Sequence, residues 1–255
     1  MEKPLYDPYK IIDDFRKLGI KSTDTILIHS SFKSLYKNGG GIAGGIEEVI
    51  NALKQTVKDG TLMLPTLSYA SVNKENPIFD VENTPCCVGA LPENFRKSKD
   101  VYRSLCATHS VAIWGKNAQS IANAHLNSTT PAGENSPYRY LKENDGKIIM
   151  LGCGLFCNTS MHAVEELVNP DYLFKDETNY KIISKDKTEK SQTLKNHYFK
   201  NTSQRYDRII NVLPSQYIKQ GKVLDAQCFV IDAPQMWKYA QQQMLKNNHF
   251  FVDMG

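Results

Sequence analysis

No run of roughly 18 apolar residues occurs in this chain, which excludes a membrane-spanning helix at the level of sequence. Cysteine is scarce, with six residues at positions 86, 87, 106, 153, 157 and 228 and no C-x-x-C pair, so they read as reduced thiols. The opening "MEKPLYDPYK" is polar, carries two prolines and lacks the apolar core of a secretory leader, so the expected location is the cytoplasm. Lysines and arginines are spread along the chain, and no basic arm for nucleic acid is expected. Long low-complexity tracts are absent too, which argues against disorder. The G-x-S-x-G elbow of serine hydrolases, the G-K-[ST] end of a Walker loop and the zinc helices H-E-x-x-H and H-x-x-E-H are all missing.

What is present is enough for a core. A chain of 255 residues with 41% apolar content buries roughly 70–75% of its extended surface. Net charge is +4, a mild balance that suits an anionic ligand. "YKIIDDFRKLG" reads as an amphipathic helix with a glycine stop, and "DTILIHSSF" as a strand entering a polar turn. "GGGIAGG" (39–45) is a flexible loop, and the apolar stripe Ile46, Val49, Ile50, Leu53 and Val57 makes the next helix. "TLMLPTLS" follows as a strand ended by Pro65. This alternation is the α/β signature. Residues 69–100 read as a long functional loop or lid.

Further along, "HSVAIWG" and "KIIMLGCG" are strands, "KNAQSIANAH" and "SPYRYLKEND" helices, the second with Pro137 in its first turn. The charged stretch 184–204 is expected to be a hairpin or excursion. "QRYDRIINVLPSQY" reads as helical as far as Pro214, "KVLDAQCFVIDA" as late strands and "APQMWKYAQQQMLK" as a last amphipathic helix. One domain over 1–255 with a long insertion fits this order better than two domains.

The most informative stretch is "NTSMHAVEEL", 158–167. On a helix, Met161, Val164 and Val168 share a stripe, Glu165 lies beside it near His162, and Glu166 turns further out. Glu165 is therefore expected to be the desolvated partner of His162, and Glu166→Gln to be close to wild type. A carboxylate that holds one imidazole nitrogen leaves the other as a base. The spacing alone is equally that of a wet helix face, and a metal site lacks its second histidine. Among the other histidines, His125 reads as a helix-end or surface residue, and His249 as structural.

Several segments, in order, resemble the aminoglycoside 3-N-acetyltransferase (antibiotic N-acetyltransferase) family, including its sugar N-acyltransferase relatives. They are "DTILIHSSFKSL", "DGTLMLPTLS", "FDVENTPCCVGALPENFRK", "YRSLCATHSVAIWG", "NSPYRYL", "LGCG…NTSMHAVEE", "SQRYDRI" and "VLDAQCFVIDA". The match runs from about residue 8 to 233. One departure is "LCATHS" where the family has H-P-T-H-S. The resemblance implies an α/β three-layer α/β/α sandwich on a mixed central sheet, with a long inserted loop or excursion. It implies acyl-CoA as donor (acetyl-CoA or a hydroxyacyl-CoA), no metal, and transfer to the amino group of a sugar. By position it implies His162 and Glu165 as base and orienting acid, with Thr159 at the head of the motif. It also implies His29, Ser30, Ser31 and Phe32 at the pantetheine arm, and Ser104, His109 and Ser110 along the cleft. His197 resembles a family histidine near "RYDR". Backbone N–H groups near Ser30 and Ser31, or the Thr159 hydroxyl, are candidate oxyanion donors, and "GGGIAGG" a candidate phosphate cradle.

An enzyme for a polycationic aminoglycoside should present excess carboxylates. The net basic chain therefore points first to an acceptor bearing negative charge, such as a nucleotide-linked amino sugar for a surface glycan. The alternatives are an aminoglycoside 3-N-acetyltransferase conferring antibiotic resistance and an inactive acyl-CoA-binding protein. The partners expected are a small amino-sugar acceptor, no nucleic acid and no membrane, with a homo-oligomer left open.

Overall fold

The computed structural model of the chain describes residues 3–255. The first half runs α1 (Lys10–Lys17), β1 (Thr25–Ser30), α2 (Gly45–Thr56), β2 (Thr61–Pro65), β3 (Ile78–Asp80), α3 (Ala90–Phe95), β4 (Tyr102–Arg103), β5 (Val111–Gly115), α4 (Ala118–Ala124) and α5 (Pro137–Glu143). Then come β6 (Lys147–Leu151), α6 (Met161–Val168), β7 (Phe174–Ile183), β8 (Glu189–His197), β9 (Thr202–Gln204), β10 (Ile218–Val223), β11 (Ala226–Asp232), α7 (Ala233–Lys246) and β12 (Val252–Met254). Among the described residues, no helix is long and apolar enough to cross a membrane.

The main sheet has seven strands in the order β10-β11-β6-β1-β2-β5-β4. β1 pairs in parallel with both β2 and β6, and the other pairs are antiparallel. The inner strands are apolar on both faces, and their period of two sorts them. Ile26, Ile28, Leu62, Leu64, Ile149 and Leu151 pack with residues of α1, α2 and α3 on one side. Leu27, Met63, Ile148 and Met150 pack with residues of α4, α5, α6 and α7 on the other. Two apolar faces between two helical layers make the three-layer α/β/α sandwich on a mixed sheet.

Local chemistry sets the helix starts. The Ser136 side chain accepts from Arg139 N–H ahead of Pro137, and Asp232 accepts from Gln235 N–H at 2.9 Å ahead of Pro234. Each such cap contributes about 1 kcal/mol, and proline in the first turn lacks only an N–H that would have no helical partner.

Three expectations need correction. Residues 69–100 are not wholly irregular: they hold β3 and α3, and β3 pairs in parallel with β7 (Phe79↔Ile182). Thus segments far apart in the chain meet in one small three-stranded sheet, whose core includes Phe79, Tyr180, Ile182 and Leu194. The hairpin expected at 184–204 starts earlier, because β7 and β8 pair from Phe174↔His197 onward. The helix expected before Pro214 is only a 3-10 segment, Tyr206–Asn211. Strand β9 takes up Thr202–Gln204 just ahead of it by pairing with β12.

Candidate active site

The sheet itself places the site. The β1–α2–β2 crossing lays α2 on one face, and the return to β6 lays α4 and α5 on the other. Chain direction therefore diverges on either side of β1, and in open α/β sheets ligands bind beyond the carboxyl ends of strands at such a point. There the structure has a cavity of about 690 Å³, lined by β1 (Ile28, His29, Ser30), the end of β2 (Pro65) and the segments after β2, β6 and β8. Gly152, at φ +73°, turns the chain out of β6. A Cβ there would sit 2.5 Å from the Ser34 Cβ, so this turn requires glycine.

His162, in the first turn of α6, lines the cavity. Its Nδ1 lies 3.2 Å from Glu165 Oε2 and 2.9 Å from the Tyr206 hydroxyl, which itself donates to Glu165 Oε2 at 2.7 Å. The Tyr172 hydroxyl donates to the other oxygen, Oε1, at 2.9 Å. Glu165 is fully buried. Burial first, and the Glu165 charge second, push both tyrosines up, so they stay neutral donors. The network assigns the His162 proton to Nδ1 and leaves Nε2 as a lone-pair acceptor.

Three more imidazoles line the cavity. The His109 ring lies 5.7 Å from His162 and 4.9 Å from His197, and the His162–His197 distance is 5.2 Å, centroid to centroid. Burial pushes His109 and His197 well below the ordinary histidine value, with neighbouring imidazole charge adding to it. Burial pushes His29 down to about 3 in the same way. His197 Nε2 lies 2.7 Å from Glu166 Oε1. Glu166 is no outward residue: its side chain is 5% exposed, and it accepts from Thr130 Oγ1 at 2.6 Å and from Ala132 N–H at 2.8 Å. Burial raises its carboxyl to about 7. The wheel misplaces Glu166 because it assumes solvent on that face, whereas the β7–β8 hairpin and the 130–132 turn close over it.

Of the residues singled out in the sequence, His29, Ser30, His109, Thr159 and His162 line the cavity, and Glu165 stands directly behind His162. Ser31, Phe32, Ser104 and Ser110 are outside the lining. The Ser31 N–H is spent on Leu151 O at 2.9 Å, which removes it as an oxyanion donor. Ser104 Oγ holds His125 Nδ1 at 2.9 Å, and Ser110 Oγ joins Arg103 Nε to Thr66 O. His125 is accordingly no surface residue but fully buried, and burial pushes it down to about 3. The "GGGIAGG" loop is also absent from the lining. Its Gly39, Gly40, Ala43 and Gly45 N–H groups are committed to Tyr36, Pro4, Tyr6 and Ile42 carbonyls, so it offers little to a phosphate.

Sequence reasoning missed Tyr206 and Tyr172 as holders of the acid, the His197–Glu166 pair, and Lys74 and Lys175 on the wall. Three buried polar atoms without a partner belong to residues of this wall: His29 Nε2, Ser30 Oγ and His197 Nδ1. Orphans of this kind call for an explanation, and a polar ligand supplies one. Cys153 and Cys157 both line the cavity, and the Cys153 thiol pulls Cys157 down to about 7 by hydrogen bonding.

A family model described as aminoglycoside 3-N-acetyltransferase matches residues 27–245. The SPbeta prophage-derived aminoglycoside N(3')-acetyltransferase-like protein YokD of Bacillus subtilis (strain 168) is 24% identical, over 93% of this chain and 92% of its own length. Aminoglycoside N(3)-acetyltransferase IV of a Salmonella sp is 29% identical over 64% of this chain, and the match spans 60% of that protein. The structure of AAC-IIIb, solved as a binary complex with CoASH, superposes with a TM-score of 0.79 at 20% identity, covering 95% of this chain and 97% of that one. That last likeness establishes the fold.

Proposed function

The chain belongs to the aminoglycoside 3-N-acetyltransferase family, and from that premise we propose that it moves an acetyl group from coenzyme A to an amine of an aminoglycoside, with His162 as general base. Membership makes it an N-acyltransferase of the acyl-CoA-to-amine type. The observation that carries the assignment of the base is the His162 ring, held at Nδ1 by Glu165 and Tyr206 on the wall of the cavity.

A thioester carbonyl is already electrophilic. The work left to the protein is to free an ammonium of its proton and to hold two substrates together. His162 Nε2 takes a proton as the C–N bond forms, and Glu165 stabilises the imidazolium. The Thr159 hydroxyl, on the cavity wall at the head of α6, is a donor available to the tetrahedral oxyanion. Ile28, Pro65, Leu67 and Phe156 give the same cavity an apolar wall for the pantetheine arm. No covalent acyl-enzyme is needed, so ternary-complex kinetics follow.

Tyr206→Phe removes a hydrogen bond to a buried charge, which is worth about 1.5–3 kcal/mol. kcat is expected to fall roughly 10–100-fold while KM for acetyl-CoA holds. Steady-state thiol release measures both.

A second reading concerns the acceptor and rests on one observation. Lys74 and Lys175 line the cavity and no aspartate or glutamate does, while exposed Tyr69, Phe156 and Tyr198 stand on the same wall. That lining suits an amino sugar carrying anionic and aromatic groups, such as a nucleotide-linked one, better than a polycation. The relatives' names support the aminoglycoside, and it stands first. The test is acetyl-CoA thiol release with kanamycin-type aminoglycosides and nucleotide-linked amino sugars side by side. Release with aminoglycosides alone supports the first reading, and release with nucleotide sugars alone supports the second. Coenzyme A binding with release from neither leaves an acyl-CoA-binding protein.

A further inference from the structure

We propose that His197 and Glu166 form a second acid–base dyad beside His162, which takes one of the two protons that the acceptor nitrogen must lose. This rests on the acyl-CoA-to-amine reading above.

The reaction needs two acceptors. An ammonium and a thioester give an amide, a free thiol and one proton. The C–N bond forms, the C–S bond breaks, and two protons leave the nitrogen. One ends on the departing sulfur and the other in solvent. A single imidazole holds one proton at a time, so with His162 alone the first must leave before the acceptor seats.

The geometry supplies the second base. His162 and His197 are held at opposite ring nitrogens. His162 is fixed at Nδ1 by Glu165 and Tyr206, which leaves Nε2. His197 is fixed at Nε2 by Glu166, 2.7 Å away, which leaves Nδ1, a buried nitrogen with no partner in the protein. Both rings line the cavity, and their centroids are 5.2 Å apart. One nitrogen seated about 3 Å from each base spans rings at that spacing. In the tautomers the carboxylates impose, both remaining nitrogens are acceptors, as a donor with two protons to lose requires. An orphaned acceptor on the wall of a polar cavity is costly unless a donor arrives with the ligand.

The surroundings bear on the titration. His197 faces Glu166 and His162 from α6, His109 from the turn before β5, and the uncharged rings of Phe174 and Phe199. Lys195 lies over Phe174, and Lys175 is on the cavity wall. Glu166 also feels Arg139, and burial raises its carboxyl to about 7, so it is a proton acceptor for the ring it holds. The proton on His197 then passes to the thiolate or out along Glu166.

The experiment has two arms. In the first, nitrogen-15 histidine spectra of the wild-type protein without substrate report the tautomers. His197 is expected to carry its proton on Nε2 and His162 on Nδ1. His197 protonated on Nδ1 overturns the proposal, and this arm needs no turnover, so it stays decisive if the acceptor reading fails. In the second arm, kcat/KM for acetyl-CoA-dependent thiol release is followed from pH 7 to 9 with a kanamycin-type acceptor. The wild type, which uses the ammonium, should be nearly flat. His197→Gln should lose roughly 100-fold at pH 7 and then gain about tenfold per pH unit, because only free amine reacts. Glu166→Gln, which keeps the hydrogen bond but not the charge, should lose about tenfold. Coenzyme A affinity serves as the check on folding. A His197→Gln defect of equal size at every pH is a packing effect, and it sinks the second base.

Discussion

His162→Ala is expected to abolish acyl transfer while coenzyme A still binds with nearly wild-type affinity. General-base removal costs about 10²–10⁴-fold, and here the upper part of that range is expected. The ring is held at Nδ1 by Glu165 and Tyr206, with Tyr172 on the other carboxylate oxygen, and none of these buried groups can take its place. Glu165 donates nothing and stands behind the ring, and the two tyrosines are pushed up and stay protonated. Thiol release with the acceptor measures the loss, and calorimetric titration with coenzyme A measures what is kept. Truncation of a buried side chain risks a packing defect, so His162→Gln accompanies it, filling most of the volume without a basic nitrogen. Glu165→Gln should cost less than either, because it keeps a hydrogen-bond acceptor for Nδ1 and loses only the charge that steadies the imidazolium. Wild-type turnover in both His162 variants would remove the general-base role.

The second large effect is on stability. His29 and His125 are pushed down to about 3 by burial, and His109 and His197 are held well below their ordinary value by the same cause. These groups stay neutral in the folded chain, whereas unfolded histidine takes a proton near pH 6.5. A depressed folded value gives stability that is present above the unfolded value and is lost as pH falls toward the folded one. At pH 5 His29 and His125 each give up about 2 kcal/mol, together about 4 kcal/mol, and His109 and His197 add to the loss in the same direction. Glu166 works the other way. Burial raises its folded value to about 7, so it regains about 2 kcal/mol between pH 7 and 5. The net is a loss of at least about 2 kcal/mol, a sizeable part of the stability of a typical domain. Melting temperature is expected to drop by at least about 5 °C between pH 7.5 and pH 5, as followed by circular dichroism. A change within about 3 °C would mean that the imidazoles are hydrated or charged in the folded state.

Local signals carried most of the fold. Strand β6 and helix α7 read from the chain as "KIIMLGCG" and "APQMWKYAQQQMLK", because buried strands are continuous apolar runs and proline with an aspartate cap marks a helix start. The pairing of β3 with β7 could not be read, since it joins segments about 100 residues apart whose polar faces carry no pattern of their own. The site divides in the same way. His162 and Glu165 share one helix turn, and their relation follows from helical geometry. Glu166 with His197, and Glu165 with Tyr206, are made by a hairpin and a 3-10 turn folding back over α6. The doublet of glutamates was the one local hint, and although His197 stood out by resemblance, nothing in the sequence paired it with Glu166. The glycine loop misled for the opposite reason: its amides are used by the N-terminal segment at Gly40 and Ala43 and by nearby carbonyls at Gly39 and Gly45.

The most direct test of the central claim is a crystal structure of the wild-type protein with coenzyme A and an unacylated acceptor. The acceptor nitrogen should lie about 2.6–3.2 Å from His162 Nε2, with the coenzyme A sulfur in contact with that nitrogen. A His162 ring turned away from the acceptor, or a sulfur farther from it than one water can bridge, would contradict it.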